Sequence, residues 1–313
     1  MRLLCRCMVL GVLVLVTGCT SSSKPSPKAA AIDSRVAGLA SLARDAYDRG
    51  ETANAARMYE SALAQARGMN DSAQLVNLAY NLGVCRLELG DLPGAGNALE
   101  EMRAEARIAG ESPARLFLLA GRISLAENDA QTAFESGDVI ANRTVPSTPA
   151  EYVAGVILRG EACMQLKDLP RARQALEQAS TEIRAKRLDS PGLLAQQAHL
   201  AGLIAVAESR WKEAAGSFDL EAQLLGRSHR DIGAARALAR AADAYGRAGD
   251  HANAAEHWYR AARMAAANSL PEAGAWANRV IQEASEQTPM DESTARLSDL
   301  AKQLLETLQR SGR

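Results

Sequence analysis

Four histidines are the residues best able to do chemistry in this 313-residue chain: His199, His229, His251 and His257. Imidazole binds metals and moves protons, and a zinc-binding helix typically places two histidines four residues apart on one face. His251 and His257 are six residues apart, so they face different sides of a helix. We therefore predict no metal site.

A glycine-rich stretch at Gly94–Gly96 resembles part of a phosphate-binding loop in composition. Such loops follow a strand, and they need either a third glycine or a P-loop lysine. This stretch lies within a helical segment and lacks both residues, so helix packing explains the glycines better. Because no catalytic grouping occurs at the right spacing, we predict that the chain is not an enzyme and holds no cofactor.

The five cysteines divide into an N-terminal group and a pair in the folded part. Cys5 and Cys7 belong to the segment described next, and Cys19 follows it directly. Cys85 and Cys163 fall in equivalent helices two repeats apart, beyond the roughly 7 Å Cα separation that a disulfide allows. We predict two buried thiols that pack like alanine, with pairing or metal binding as the alternative.

Residues 1–18 have the organisation of a secretory signal peptide, with Arg2 and Arg6 before the apolar run Met8–Val16. The run is shorter than the about 20 residues that a membrane-spanning helix needs. The stretch Leu15–Cys19 resembles the bacterial lipobox. This resemblance implies that residues 1–18 are removed and that the Cys19 thiol carries a diacylglycerol group. The alternative is an ordinary secretory signal that contains a cysteine.

Residues 19–32 are polar, contain serine and proline, and have little to bury, which predicts a disordered tether. The resemblance to lipoproteins of two-membrane bacteria implies that an aspartate after the lipidated cysteine favours the inner membrane. Thr20 stands there instead, so we expect an outer-membrane anchor that faces the periplasm. In an organism with one membrane, the same features place the protein on its outer face.

Composition limits both the fold and the partner. Aromatic residues make up 4% of the chain, while alanine and leucine occur in nearly every segment, which favours closely stacked helices. The formal net charge is -1. A nucleic-acid partner would need a clustered basic face, so we expect none.

A repeat of about forty residues determines the expected fold. Small residues recur in apolar helical stretches at intervals of 40, 38, 39, 42 and 40, and an alanine follows each of them twelve residues later. A turn lies between the two, so each unit reads as helix, turn, helix. The small residues are Ala43, Gly83, Gly121, Gly160, Gly202 and Ala242, and the alanines are Ala55, Ala95, Ala133, Ala172, Ala214 and Ala254.

The turns support this interpretation. In Gly90-Asp91 and Gly249-Asp250, glycine allows the left-handed backbone that ends a helix, and the acid suits the start of the next. A larger residue often follows the alanine by one helical turn, as Trp258 follows Ala254. The pattern resembles the tetratricopeptide repeat over about residues 36–265, although the usual spacing is 34 and Arg159 stands where an apolar residue is expected.

The resemblance implies an all-α fold, a right-handed α-solenoid of about six helix-turn-helix repeats. Leu297, Leu300, Leu304 and Leu308 have helical spacing, so an amphipathic helix should cover the end of the array. We therefore divide the chain into a signal peptide (1–18), a lipidated tether (19–32), the repeat array (33–268) and C-terminal capping helices (269–313).

In tetratricopeptide proteins the first helices line a concave groove, and the resemblance places the residues three before and one after each small residue there. Several of these residues are aliphatic in the central repeats, which predicts an interaction surface with a polar rim. The alternative is that tighter curvature buries them. The predicted partner-binding residues are Asn77, Tyr80, Asn81, Arg115, Leu118, Arg122, Ile157, Glu161, His199 and Leu203.

The function that follows from the resemblance and the anchor is protein recognition in the cell envelope. We expect an adaptor lipoprotein that holds a protein or peptide segment at the membrane through the groove, with the lipid as its only contact with the bilayer. The alternative is a binding protein that captures soluble peptides or saccharides for a transporter or hydrolase.

Overall fold

The computed structural model describes residues 27–69, 71–109 and 113–310. The predicted signal peptide and Cys19 lie outside these residues. Within them the regular structure is helical throughout, in the order α1 (Pro27–Asp48), α2 (Thr52–Ala66), α3 (Ser72–Glu88), α4 (Leu92–Ala109), α5 (Ala114–Ala126), α6 (Ala130–Ala141), α7 (Pro149–Gln165), α8 (Leu169–Lys186), α9 (Pro191–Ala207), α10 (Trp211–Arg227), α11 (Asp231–Arg247), α12 (His251–Ala267), α13 (Ala273–Glu286) and α14 (Glu292–Arg310).

The helices pack as consecutive antiparallel pairs, from α1 with α2 to α13 with α14. The first helices of the central pairs also contact one another, α3 with α5, α5 with α7 and α7 with α9. This arrangement confirms the predicted all-α solenoid of helix-turn-helix repeats. The odd-numbered helices up to α11 form its inner layer, and the even-numbered helices form its outer layer.

The predicted small residues and alanines are the contact points between helices. All six alanines of the second helices have no exposed surface. At Gly83, Gly121 and Gly160, a Cβ atom would lie 2.5 to 2.6 Å from a leucine methyl group of the next first helix, so a larger residue there would overlap it. The third, fourth and fifth repeats therefore each pack a leucine against the glycine of the repeat before it, whereas Gly202 is covered by Phe218 of its own repeat.

The turns predicted at Gly90 and Gly249 are present, with positive φ angles of 81° and 79°, and turns between other helix pairs have the same backbone conformation. Asn128, Lys167 and Ser209 have positive φ angles of 63°, 61° and 56°, the left-handed conformation that ends a helix. Asp129 and Asp168 follow two of them, and their side chains accept hydrogen bonds from backbone N–H groups in the first turn of the next helix. Such caps satisfy donors that the helix leaves unpaired.

The predicted division of the N-terminal part of the chain stays a prediction. Helix α1 begins at Pro27, inside the segment 19–32 that was expected to be a disordered tether. Proline is favoured in the first turn of a helix, and the alanines at 29–31 are strong helix formers, so this end of the segment continues the helix. Residues 19–26 lie outside the described part, and the division between the array and a C-terminal cap stays a prediction.

Helices α13 and α14 cover the last repeat. Trp276 of α13 lies 6.4 Å from Trp258 of α12, measured between ring centroids. Leu297 and Leu304 of α14 pack on the same core cluster as Trp258. None of the described helices is both long enough and apolar enough to cross a membrane.

The array curves enough for its sixth pair to meet its first two. The Arg230 guanidinium, between α10 and α11, donates to the Glu88 carboxylate of α3 at 3.0 Å, across 142 positions in sequence. The same guanidinium lies 5.2 Å from the centre of the Tyr47 ring of α1. A Cβ atom at Gly50 would overlap the His229 carbonyl oxygen, so glycine permits this approach. We call these residues, Tyr47, Gly50, Glu88, His229 and Arg230, the closing contact.

Candidate ligand-binding interior of the superhelix

The inner layer lines a first, open cavity of about 740 Å³. Its walls come from α1, α3, α5, the N-terminal parts of α7 and α9, Tyr59 of α2 and Arg230 of the closing contact, so side chains of five repeats and of the α10–α11 turn face one space. The lining includes four arginines, Arg44, Arg115, Arg122 and Arg230, and one acid, Glu151.

Arg115 organises one wall of the first cavity. Its Nε donates to Glu151 Oε1 at 2.8 Å, and its Nη1 donates to Asn77 Oδ1 at 3.2 Å. The guanidinium also covers the Tyr80 ring at 5.6 Å. Although burial acts to raise it, hydrogen bonds from the Thr148 backbone and from Arg115 hold the pKa of Glu151 below its usual value. The pair is therefore charged at neutral pH.

A second cavity of about 780 Å³ lies at the C-terminal ends of the same first helices. Its walls are largely aliphatic, and they end on a group of charged residues. Arg122 borders both cavities and therefore stands at their junction. The aliphatic residues are Leu87, Leu125, Met164, Leu203 and Val206, and the charged and titratable ones are Arg122, Glu161, His199 and Arg240.

Glu221 contacts two of the charged and titratable residues at the polar end of the second cavity. Its carboxylate lies 3.1 Å from His199 Nδ1 and accepts from Arg240 Nη2 at 2.7 Å. Burial acts to raise the pKa of Glu221, but His199 and Arg240 together hold it below its usual value. Burial raises the pKa of Glu161, which faces the same cavity without so close a partner in the described residues. Arg240 Nε is also buried there without a hydrogen-bond partner among those residues.

The structure divides the predicted partner-binding residues between the two cavities. Some of them line the first, some line the second, and Arg122 lines both. The first cavity holds Asn77, Tyr80, Asn81, Arg115, Leu118 and Arg122, and the second holds Arg122, Glu161, His199 and Leu203.

Two aliphatic residues of the predicted groove, Leu118 and Ile157, are buried rather than exposed, whereas Leu203 is half-buried. Leu118 is 3% exposed and Ile157 is 1% exposed, and both belong to the core cluster around α7. Ile157 lines neither cavity. The superhelix curves so strongly that neighbouring first helices cover these positions, which is the alternative that the sequence left open.

Several lining residues have no signal in the repeat pattern. Arg44 occupies a groove position of the first repeat, but it reads as an ordinary solvated side chain. Arg240 reaches the second cavity from α11, where Glu221 of α10 accepts its hydrogen bond, and Arg230 reaches the first cavity from a turn. Only the arrangement of distant repeats brings them there, so sequence spacing could not have found them.

The remaining titratable groups serve as structural contacts. His257 Nε2 lies 2.9 Å from Asp219, and His251 Nδ1 lies 2.9 Å from Glu283. In the part of the chain that the structure describes, no three histidine, cysteine, aspartate or glutamate residues cluster as metal ligands would. Cys85 and Cys163 are buried free thiols, as predicted, and burial beside Glu88 raises the pKa of Cys85 to about 12.

Comparisons with known proteins identify the fold. No known family model matches the sequence, and no curated protein matches it. The apo form of RapI matches with a TM-score of 0.52 and 9% identity, over 85% of this chain and 76% of that one. A signal-transduction ATPase with a tetratricopeptide repeat sensor, from Pyrococcus horikoshii, matches with a TM-score of 0.50 and 11% identity.

The match to the ATPase covers 90% of this chain and 44% of that one. A tetratricopeptide repeat protein from Parabacteroides merdae is 15% identical over 86% of this chain and 99% of its own, with a TM-score of 0.42. At these identities the likeness concerns the backbone alone. The fold of this chain is a solenoid of tetratricopeptide-like helical repeats.

Proposed function

We propose that this protein is a membrane-anchored scaffold of the cell envelope that binds a segment of a partner protein on the concave side of its superhelix. The observation that carries the proposal is the second cavity. It combines an aliphatic wall with a few convergent polar groups, which is the usual composition of a binding site. Leu203 and Met164 supply apolar contact, and Glu161 and Arg240 offer polar atoms that could fix the orientation of a bound segment.

The partner must supply complementary groups. An apolar side chain of the segment would gain from leaving water in the aliphatic part of the second cavity. A backbone amide or hydroxyl group could satisfy the unpartnered Nε of Arg240 or the Glu161 carboxyl group. Buried polar atoms without partners are costly, so a segment that satisfies them would bind more tightly than one that only fills space.

The anchor belongs to the same proposal. The lipobox resemblance at Leu15–Cys19 supports a lipid on Cys19, and Thr20 supports an outer-membrane location that faces the periplasm. Metabolic labelling with palmitate tests this step. We expect label on the wild type and none on Cys19→Ser, which should remain unprocessed or leave the membrane fraction. A wild type that is cleaved normally without label would contradict the anchor.

An alternative is the capture of soluble peptides or saccharides, and the first cavity favours it. Tyr47 and Arg230 of the closing contact border this cavity, and its volume falls within the roughly 300–1,000 Å³ of small-molecule sites. A scaffold and a capture protein differ in what they retain. The scaffold should hold a protein in fixed proportion, whereas the capture protein should not.

Site-specific photo-crosslinking separates the two functions. A photoreactive residue at Leu203 reports on the second cavity, and one at Leu220, which is exposed on the outer helix α10, is the matched control. The scaffold function predicts one stoichiometric protein adduct from Leu203 and none from Leu220. Equal adducts from both positions, or no protein adduct from Leu203, would contradict it.

A further inference from the structure

We propose that the partner segment bound in the second cavity carries an acyl chain, which lies along a row of aliphatic side chains on the first helices of repeats two to five. The proposal rests on the scaffold function and specifies its partner as the acylated N-terminus of a lipid-modified protein. Three features support this partner: the composition of the row, the size of the cavity and the hydrogen-bonding groups at its polar end.

Four consecutive first helices each contribute one aliphatic residue to the second cavity from the same place in the repeat. Each of these residues follows the small residue of its helix by one helical turn, and α3, α5, α7 and α9 pack side by side. Packed helices are roughly 8–10 Å apart, so the row extends over about 25 Å. An acyl chain reaches about 15 Å, half of the roughly 30 Å hydrocarbon core of a bilayer, and therefore fits along the row. The members of this aliphatic row are Leu87, Leu125, Met164 and Val206.

The aliphatic row offers no hydrogen bonds to a peptide backbone. Each residue of an extended segment brings an N–H and a C=O group, and both need partners where water is excluded. The first helices use their own backbone groups within the helix, and the side chains of the row are apolar. An acyl chain has no such polar groups, so it can fill the row without leaving any of them unpaired.

The second cavity is also too small for a helical segment. A helix with its side chains is about 10–12 Å across, so a volume of about 780 Å³ would hold roughly 7–10 Å of it. That length is less than two turns and covers only one of the helix spacings in the row. No phenylalanine, tyrosine or tryptophan is among the described residues that line the cavity, whereas leucine and methionine side chains adapt to a flexible chain.

The polar end of the second cavity suits the carbonyl groups beside an acyl chain. Arg240 is on α11, the first helix that follows the row, and its buried Nε has no hydrogen-bond partner among the described residues. Arg122 and Arg240 bring two positive charges against one paired carboxylate, that of Glu221. Burial raises the pKa of Glu161, which favours its neutral, hydrogen-donating form. This end therefore offers donors to carbonyl oxygens and disfavours a free α-ammonium group, whose charge N-acylation removes.

Isothermal titration of the full chain with N-acyl peptides tests the proposal. The probe is N-dodecanoyl triserine. Its controls are N-acetyl triserine and dodecylphosphocholine, which has the same chain length without an acyl carbonyl group. We expect the dodecanoyl peptide to bind at least tenfold more tightly than either control. Equal affinity for the dodecanoyl peptide and either control, or no binding of the dodecanoyl peptide, overturns the proposal.

The length of the chain gives a second measurement. Each methylene that leaves water should increase affinity by about fourfold, so the decanoyl peptide should bind about tenfold more weakly than the dodecanoyl peptide. Equal affinities of the two peptides would mean that the chain does not enter the row, and would overturn the proposal.

Variants locate the chain and its carbonyl group. Met164→Gln places a polar side chain in the row and should weaken the dodecanoyl peptide by about fivefold or more. Met264→Gln, at a half-buried methionine of α12, is its control. Arg240→Lys keeps the charge beside Glu221 but removes the Nε donor, which should weaken the peptide by about fivefold. Arg236→Lys, on the same helix, is the control for that change.

Circular dichroism verifies that each variant is folded, and equal affinity in the cavity variants and their controls would overturn the proposal. The photo-crosslinked adduct at Leu203 separates the acyl chain from the scaffold function. Mass spectrometry of that adduct should show a partner peptide with an N-terminal acyl group. An adduct without an acyl group would overturn the acylated partner and leave the scaffold function in place, whereas the absence of any protein adduct would overturn both.

Discussion

The contacts that build the repeats and the contact that closes the superhelix are of different kinds. Between neighbouring helices, alanine and glycine let backbones approach, and leucines such as Leu119 and Leu158 fill the remaining space. The closing contact instead joins distant repeats through the Arg230–Glu88 ion pair and the face of Tyr47. The repeats therefore form from local apolar packing, whereas the first cavity depends on a few polar atoms far apart in sequence.

This difference has an energetic consequence. Each buried side chain in a repeat gains free energy from leaving water, and the close packing makes any added volume costly. An ion pair also loses hydration when it forms, so its net contribution to stability is small even when it is partly buried. We expect changes to the repeats to unfold the protein and changes to the closing contact to alter its shape.

The largest effect is expected from Leu118→Glu combined with Ile157→Glu. Both side chains are buried, so the variant would place two unpaired carboxylates in the core, at a cost of several kcal/mol. Loss of helicity by circular dichroism is the expected result. Leu166→Glu with Leu220→Glu is the matched control, because those leucines are 42% and 49% exposed. If Leu118→Glu with Ile157→Glu stayed folded, then α5 and α7 would have to move apart readily enough to expose both carboxylates to water.

A smaller effect is expected from added volume at one repeat contact. Ala133→Leu or Ala214→Leu should lower the free energy of unfolding by about 1–3 kcal/mol, because both alanines are fully buried between helices. Urea titration measures the change. Ala104→Leu, on an exposed part of α4, should leave stability nearly unchanged. If all three variants unfold at the same urea concentration, the second-helix alanines are not the contact points described above.

A change at the closing contact should affect shape more than stability. Glu88→Gln with Arg230→Met removes both charges together, which leaves no buried charge unpaired and should change the free energy of unfolding little. Spin labels at Ala53 and Asn268, which border one cleft beside this contact, report the separation of the first and sixth repeats. We expect a longer and broader distance distribution in the double variant. An unchanged distribution would show that local curvature alone closes the superhelix.

The smallest effect concerns a local polar contact between α10 and α12. Burial acts to lower the pKa of His257, but Asp219 outweighs it and raises this pKa above the ordinary value of 6.5. A raised folded-state pKa contributes stability below about pH 6.5 that is lost as the pH rises through the folded-state value. The urea midpoint of the wild type should therefore fall as the pH rises above about 6.5. His257→Gln should show a smaller fall, and identical pH profiles would exclude this role.

Much of the fold could be predicted because its helix ends and turns depend on residues that are close together in sequence. The left-handed turn at Asn128 and the cap at Asp129 depend on neighbouring residues, so a single stretch of sequence identifies them. The predicted binding site stays a prediction. Arg115 and Asn81 do line a cavity, but Leu118 and Ile157 are buried instead of exposed. Both residues lie on the first helices, as the repeat pattern predicts. The curvature of the array, which buries them, could not be predicted from the sequence.

The sequence by itself determined the repeat, its helix boundaries and the small residues at which helices meet, because each depends on contacts within one or two repeats. The lipid on Cys19, the location and the absence of enzymatic activity stay predictions. Only the tertiary structure decided that the array closes, that Arg230 meets Glu88, and that Arg44 and Arg122 face one cavity. Curvature is the sum of small rotations between successive repeats, so the meeting of the first and sixth pairs is set by every interface between them.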